Sequence, residues 1–545
     1  MSGVAAMDDC FFMEDNELFG NGGEYDIFNN EDVNAILDTT IFKVGEQVSP
    51  KEVVAALVEI SVVKLLEEDL FLSTASLNKR SLVTYPLFLC DKDYALKWDI
   101  GVNLFYNQTT RMNFTYDSSC LFCYLGLLQP NLIDKINGAI DKIREILGQD
   151  FDFDTIGTLS LFKHATCNER RVGIMLQGLR EYRDVRFHFK FPFYWRERNY
   201  YLTPAEQEEI EREFGALDPD QQEEFQAEHL ISDRLGFGDF RFEVDFPVGR
   251  QKKGFYWRAG VLTTLPINIA IIDGLMGSVY KKCQSRPSFS FEELFSLATD
   301  PETRPEAEKI AEDFFLCALD CMSNTFLDTT LGRDRHLGVG ALFRSKVPFS
   351  TLIKKSWAEQ VFYKGNITFE YLFPYMKCRN FIECPDIQAF LDRHFEDYDD
   401  EELVDEITEA RARDDLEFLE EKFVDKFFPY VYMTKVRPRI ELTWSNKLSY
   451  EPPSKIFGLH LGLDFWIKSG ERLSNVSASC ERKKRLDYCK ATRGLAYQWR
   501  GLGEFIFRVK RQTKDLYLSL NIDGAFASKG IGKDFMVTFN IESNF

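Results

Sequence analysis

Charged side chains alternate with apolar ones in two stretches of the chain, at residues 185–195 and 237–248. The charged members are Arg186, His188 and Lys190 in the first stretch and Asp239, Arg241, Glu243 and Asp245 in the second. Every second residue of a β-strand points to the same face, so two neighbouring strands of this kind would place opposite charges along one wall. Such a wall beside water sets up a transverse field that orders solutes by charge and dipole. The alternative is that these charges only neutralise one another.

Four more polar residues fall on the charged face of alternating stretches, namely Lys97, Asp99, His460 and Asp464. A histidine on such a face could bind a solute or transfer a proton, but more often it is hydrogen-bonded to a neighbouring carboxylate. The sequence contains no nucleophile elbow, phosphate-binding loop, paired metal-ligand helix or dinucleotide fingerprint. We therefore expect these residues to line an interior, and we expect no enzyme activity, no metal and no cofactor.

The chain contains 12 cysteines, and nearly all lie outside the alternating stretches. An oxidising compartment could link those in long connections, and the sequence does not fix which pairs form. The candidates for disulfides are Cys378, Cys384, Cys480 and Cys489. Cys317 and Cys321 are four residues apart on a predicted helix, a spacing that strains a disulfide and favours two reduced thiols.

Alternation of apolar and polar residues returns along the chain from residue 94 to the end. Most of these stretches are close to the roughly 9–11 residues that cross a bilayer as a tilted strand. The predicted strands are 94–106, 110–116, 156–163, 170–180, 185–195, 237–248, 255–265, 336–347, 361–373, 432–444, 457–467, 495–509, 516–526 and 533–545. The expected count is about fourteen antiparallel strands, within a range of about 12–16.

The lengths of the connections between these strands follow an order. If the last strand descends to the inner side of a membrane, the connections on that side are 181–184, 249–254, 348–360, 445–455 and 510–515, and all are short. The outer connections are 196–236, 266–335, 374–431, 469–494 and 527–533, and four of these five are long. Segment 117–155 is an exception, because it is long and falls on the inner side in this count. Helical patterns predict inserts near 117–155, 196–236, 266–335, 374–431 and 469–494.

Composition restricts the classes of partner. The net charge is −21, whereas binding of phosphate backbones depends on clustered lysine and arginine, so nucleic acid is not expected. No apolar, uncharged run is long enough for a membrane-spanning helix, so strands would have to cross any membrane. The 50 Phe and 22 Tyr residues exceed what a soluble core needs and are typical of aromatic girdles at membrane interfaces.

The final stretch, KDFMVTFNIESNF at 533–545, alternates up to a terminal phenylalanine. With the strand pattern and the order of long and short connections, it resembles the bacterial outer-membrane β-barrel proteins over residues 94–545. The resemblance implies an all-β transmembrane barrel with helical inserts in its long loops, and an assembly signal at Phe539, Ile541 and Phe545. Ser543 departs from the apolar residue usual at its position. The implied partners are the lipid bilayer and the barrel-assembly machinery, and the implied location is the bacterial outer membrane.

The domain organisation expected from this resemblance has two parts. Residues 1–90 form an N-terminal region with one helix, predicted over 50–70, that serves as a periplasmic or luminal plug, and residues 91–545 form the barrel. The start, MSGVAAMDD, lacks the basic region and apolar core of a secretory signal. Because Val4, Ala5 and Ala6 suit the small-residue end of one, we expect a truncated or removed signal.

The sequence is compatible with three functions. The first is a channel or uptake pore for small solutes, with a homo-oligomer expected by analogy only. The second is an outer-membrane surface scaffold or adhesion-type barrel with a closed lumen. The third is a soluble β-rich cytosolic protein, because alternation alone also suits a sheet that packs its apolar face inward.

Overall fold

A computed structural model describes residues 49–59, 74–86, 98–112, 166–201, 226–249, 255–277, 286–299, 302–383, 408–452, 456–510 and 515–544. Lys97, Cys384 and Phe545 lie outside these residues. The strands are β1 Asp99–Arg111, β2 Thr166–Tyr182, β3 Val185–Tyr201, β4 Ile231–Phe237, β5 Phe240–Pro247, β6 Tyr256–Leu265, β7 Ile269–Asp273, β8 Gly338–Pro348, β9 Val361–Leu372, β10 Tyr375–Phe381, β11 Tyr430–Arg437, β12 Arg439–Tyr450, β13 Phe457–Lys468, β14 Arg472–Ser474, β15 Ala496–Lys510, β16 Asp515–Lys529 and β17 Lys533–Asn544.

Twelve of the described strands form a closed antiparallel ring in which each strand pairs with the next one along the chain. The order is β1, β2, β3, β5, β6, β8, β9, β12, β13, β15, β16 and β17, and β17 pairs with β1 to close the ring. At this seam Val102 faces Ile541 and Asn103 faces Asn540. Closure leaves no ring strand with a free edge, which is the condition for a sheet to exist in hydrocarbon.

The twelve ring strands coincide with twelve of the fourteen predicted stretches. The other two, 110–116 and 156–163, fall largely outside the described residues, and both edges of β1 and of β2 are already paired within the ring. The ring thus has twelve strands, at the lower limit of the predicted range. The predicted strand 432–444 is divided in two, because Pro438 cannot donate a ladder hydrogen bond and Arg439 has a φ of 67°.

The ring explains the exceptional length of segment 117–155. With β1 paired directly to β2, the whole stretch between Arg111 and Thr166 is one connection, and it joins the same end of the barrel as the other long connections. We call this the long-connection end. The opposite, short-turn end carries the connections after β2, β5, β8, β12 and β15. The predicted order of connections is confirmed, whereas the assignment of 117–155 to the inner side was wrong.

The long connections contain helices and additional strands. The described helices are α1 Pro50–Glu59, α2 Phe291–Thr299, α3 Arg304–Phe326, α4 Glu409–Phe427 and α5 Cys480–Arg485. Helix α4 begins where the Thr408 side chain accepts a hydrogen bond from the Arg411 amide, a normal N-cap. It buries Leu416 and Leu419. Strands β10, β11 and β14 form a separate three-stranded sheet, and β4 and β7 extend the main sheet from β3.

The outward face of the ring is apolar and the inward face is polar, which is the reverse of a soluble sheet packed around an apolar core. Leu104 is 48% exposed and Leu461 is 57% exposed on the outside, whereas Asn103 and Asn107 are buried inside. A soluble protein of the kind considered as the third alternative would bury its leucines. Among the described residues no α-helix has the length and apolar character needed to cross a bilayer, a result that does not bear on strands.

Candidate functional site

The two charged stretches, 185–195 and 237–248, belong to the neighbouring ring strands β3 and β5. In the register between β3 and β5, Arg186 faces Asp245, His188 faces Glu243 and Lys190 faces Arg241. These side chains are buried on the inward face. Adjacent side chains on one face of an antiparallel pair lie about 4.5–5.5 Å apart, so the first pair places opposite charges side by side and the second places an imidazole beside a carboxylate.

Glu243 is the centre of this part of the wall. His188 Nδ1 lies 3.0 Å from Glu243 Oε2, and Arg241 Nε donates to Glu243 Oε1 at 2.7 Å. Arg344, on β8, contacts Glu243 as well and donates from Nη1 to Asp245 Oδ2 at 2.6 Å. An arginine two ring strands away therefore ties β3 and β5 to β8 across the interior.

The other described candidates for the wall are also buried. His460 Nδ1 lies 3.1 Å from Glu504 Oε2, and Asp464 accepts a hydrogen bond of 2.7 Å from Arg80 Nη2. Asp239 accepts one of 2.5 Å from Ser81 Oγ. Asp99 is 1% exposed at the short-turn end of β1. Lys97 lies outside the described residues.

Residues 74–85 of the N-terminal region lie inside the ring. Each of them from Thr74 to Tyr85, except Ser76, is at least nine-tenths buried. Arg80 donates to Asp464 on β13 and, through Nη1, to Gln498 Oε1 on β15 at 3.2 Å. The Tyr85 hydroxyl donates to Asp534 Oδ2 on β17 at 2.7 Å. Because these strands and β2, whose Arg171 donates to the Arg80 carbonyl, stand around it, the segment fills the interior near the long-connection end.

A connection from that end also enters the interior. Lys79 Nζ donates to Asp328 Oδ2 at 2.7 Å and to Asp334 Oδ1 at 3.0 Å. Burial raises the pKa of Asp334, but Arg493, Lys377 and Lys79 hold that pKa well below its usual range. The segment 74–85 is thus joined by ion pairs both to the ring wall and to the connection between β7 and β8.

One buried carboxylate on β2 gathers three arginines. Glu169 contacts Arg171 on its own strand and both Arg196 and Arg198 on β3. Glu169 and Arg198 are 0% exposed. All three guanidinium groups have a further acceptor, which is the Arg80 carbonyl for Arg171, the Thr330 carbonyl for Arg196 and the Phe326 carbonyl for Arg198. The cluster therefore joins the wall to the incoming connection.

The short-turn half of the interior contains a cavity of about 90 Å³. Cationic side chains from four different ring strands line it, namely Arg186, Arg344, Lys364 and Lys447. Glu504 is the carboxylate among the lining residues, and His188 and His460 complete the titratable groups there. One water molecule needs about 10–15 Å³ of such volume, so this cavity has room for several waters or for a small solute.

Several of these residues were missed by the sequence analysis. Arg344 and Glu504 lie on predicted strands, 336–347 and 495–509, whose alternation of apolar and polar residues is weak. Counting every second residue along these strands would still have placed both side chains on the inward face. Segment 74–85 has no strand or helix period and gives no local signal for its position. Some of its contacts join residues more than 380 positions apart, such as Arg80 and Asp464, and only the folded ring brings them together.

The disulfides considered for Cys378, Cys384, Cys480 and Cys489 stay a prediction. Cys378, Cys480 and Cys489 are exposed, and the Cys378 Sγ lies 3.4 Å from the Met433 Sδ. No group of three or more histidine, cysteine, aspartate and glutamate side chains could hold a metal in the described part of the chain.

A closed antiparallel ring with an apolar exterior and a polar, charged interior is the architecture of outer-membrane β-barrel channels. The chain has that architecture by its own strand pairing.

Comparison with known proteins gives only distant similarity. No family model and no curated protein matches the chain. Among solved structures, an outer-membrane channel from Pseudomonas putida F1 aligns with 84% of this chain and 100% of that chain, at 8% identity and a TM-score of 0.37. The Pseudomonas putida toluene transporter TodX covers 87% and 96%, at 7% identity and 0.29. The monoaromatic hydrocarbon channel CymD covers 83% and 89%, at 7% identity and 0.27.

Proposed function

We propose that this protein is an integral outer-membrane β-barrel that conducts small polar solutes through its interior. The observation that carries the proposal is the combination of a closed ring, an apolar exterior and a polar interior that still contains a cavity. Transfer of the outward leucines and isoleucines from water to lipid contributes about 25 cal/mol per Å² of area removed from water. The proposal includes no catalytic step.

In this proposal residues 74–85 form a luminal plug. The segment narrows the long-connection half, and solutes pass beside it or after it shifts. The ion pair of Arg80 and the hydrogen bond of Tyr85 with the wall, and the ion pairs of Lys79 with the connection between β7 and β8, favour a plug that is held in one position at rest. The expected partners are the lipid bilayer and the barrel-assembly machinery, and a homo-oligomer remains a prediction.

Planar-bilayer recording of the purified chain tests the channel. We expect discrete current steps in 1 M KCl, and a folded protein without current would contradict conduction. Folding is checked independently by heat-dependent gel mobility. Cell fractionation tests the location, because recovery of the protein in the soluble fraction would overturn the membrane assignment.

A second candidate function is a surface scaffold with a closed lumen. It is favoured by the buried ion pairs around segment 74–85 and by the helices and three-stranded sheet at the long-connection end. The same recordings separate the two functions, since a scaffold would insert and remain silent.

The assembly signal is proposed for the end of β17. Phe539 and Ile541 face outward and are 40% and 41% exposed. Deleting Phe545 is expected to reduce membrane insertion without changing synthesis, as measured by the ratio of membrane-bound to total protein. Normal insertion of the truncated chain would exclude this role, and deletion of two residues between β15 and β16 (511–514) serves as the control.

A further inference from the structure

The three-stranded sheet of β10, β11 and β14 has one buried face and one exposed face. Phe381 and Val436 are 0% exposed on the buried face. On the opposite face Met376 is 41% exposed and Met433 is 43% exposed, and Cys378 is exposed as well. Because residues two apart on a strand share a face, β10 presents a thioether and a thiol to solvent on the same side.

The pairing of β10 with β11 brings a second thioether to this thiol. Cys378 faces Met433 in the register of the two strands, and the Cys378 Sγ lies 3.4 Å from the Met433 Sδ. Met376 is the diagonal neighbour of Met433 on the same face, a separation of about 7–8 Å that long side chains can span. We call Met376, Cys378 and Met433 the sulfur cluster.

Two thioethers and a thiol are ligands that soft metal ions prefer. Thiolate and thioether sulfurs select Cu(I), whereas carboxylates, carbonyls and water suit magnesium and calcium. At a metal–sulfur distance of about 2.3 Å, two sulfurs that share one ion lie about 4 Å apart. The pair formed by Cys378 and Met433 therefore has to open by only about half an ångström, and the three rotatable bonds of methionine allow that movement.

Packing alone does not account for an exposed thiol at this position. Free cysteine is among the most buried residue types, so the chemistry of an exposed one matters more than its packing. Lys435 faces Met376 in the register of the two strands. This lysine disfavours a divalent cation near the cluster, whereas the charges of a thiolate and a monovalent cation cancel. The local charge therefore favours a monovalent ion.

We propose that the sulfur cluster binds one Cu(I) ion at the long-connection end, outside the barrel interior. The Cys378 thiol loses its proton to water and binds as the thiolate, and the thioethers of Met433 and Met376 complete a three-coordinate site. The ion binds as Cu(I), so no electron is transferred. Because 55 positions separate Cys378 from Met433, no short sequence motif marks the pair. This binding is additional to the passage of solutes and does not depend on it.

Competition with the Cu(I) chelator bathocuproine disulfonate tests the site on the reduced full chain in detergent, with ascorbate and without oxygen. Met433→Leu keeps an apolar side chain of similar size and removes the sulfur, so we expect it to weaken Cu(I) binding at least about tenfold. Met276→Leu is the matched control, because Met276 is 59% exposed and lies outside the cluster. It should leave the affinity unchanged, and equal affinities of the two variants would overturn the site.

X-ray absorption at the copper edge identifies the ligands of the complex with one Cu(I) per chain. We expect two or three sulfur ligands at about 2.3 Å, and a first shell of nitrogen or oxygen would overturn the proposal. Cys378→Ser should remove this signal, whereas Cys480→Ser, which changes another exposed cysteine, should preserve it. Loss of the signal in both variants or in neither would overturn the site.

The native state of the thiol gives an independent test. The proposed site needs Cys378 as a thiol, so it excludes the disulfide considered for that residue. Peptide mass mapping of the unreduced protein should find Cys378 open to alkylation. A disulfide at Cys378 in the native protein would overturn the proposal, and heat-dependent gel mobility shows that each variant used in these tests is folded.

Discussion

The two halves of the barrel interior have the same alternating wall of inward polar residues, but one half is filled by other segments of the chain and the other contains a cavity. In the long-connection half, segment 74–85 and the connection after β7 occupy the space. Arg80 has partners on β13 and β15, Tyr85 has a partner on β17, and Lys79 pairs with Asp328 on the connection. In the short-turn half, the inward side chains surround a cavity of about 90 Å³. Alternation therefore sets the polarity of the wall, whereas long-range contacts decide whether the space inside is filled.

Stability should depend most on the filled half. Glu169→Gln leaves three buried arginines without their shared carboxylate, so we expect a loss of about 3–5 kcal/mol in the free energy of unfolding. Urea titration of the barrel in detergent, followed by gel mobility, measures it. Glu181→Gln, at the short-turn end where Glu181 is 13% exposed, is the matched variant and should cost about 1 kcal/mol. Similar losses in both would show that the two halves do not differ in this way.

Removing a side chain that joins segment 74–85 to the wall should raise the conductance of the channel. Arg80→Ala deletes the hydrogen bonds to Asp464 and Gln498 and leaves a buried carboxylate that favours water nearby. We expect the single-channel conductance to rise at least twofold, as measured in planar bilayers.

Lys51→Ala is the control for Arg80→Ala. Lys51 lies on α1, in the same N-terminal region, and its loss should leave the conductance unchanged. An Arg80→Ala protein that folds and conducts like the native protein would contradict a plug at residues 74–85.

Acid should loosen the filled half. Burial raises the pKa of Glu471, but Arg379 and Arg493 outweigh this effect and lower the pKa to about 2, from 4.5. Between these two values the unfolded chain binds the proton and the folded chain does not. The stabilisation is therefore present above pH 4.5 and is lost as the pH falls toward 2, by about 1.4 kcal/mol per unit at most.

Urea midpoints at pH 5 and pH 2.5 measure this dependence. Glu471→Gln should reduce the dependence of the free energy of unfolding on pH. Glu409→Gln, on the exposed face of α4, should leave that dependence unchanged. An unchanged slope in Glu471→Gln would exclude this carboxylate as the titrating group.

The sequence predicted the wall better than its contents, for a physical reason. A period of two is a local property, so stretches such as 457–467 and 533–545 gave the ring strands and, through their connections, the two ends of the barrel. The break between β11 and β12 was missed although Pro438 marks it, because the alternation continues across the proline. The position of segment 74–85 depends on side chains more than 380 residues away, and no local pattern encodes it.

The smallest expected effect compares one hydroxyl group in each half. Ser81 Oγ donates to the buried Asp239 at 2.5 Å, so Ser81→Ala should cost about 1–2 kcal/mol, because the carboxylate loses a donor it cannot replace. Ser445 lines the cavity, where water can take the place of its hydroxyl, and Ser445→Ala should cost less than about 0.5 kcal/mol. Urea midpoints of the two variants measure the difference. A larger cost at Ser445 would mean that the short-turn half is packed as tightly as the other, and the distinction between a filled and an open interior would fail.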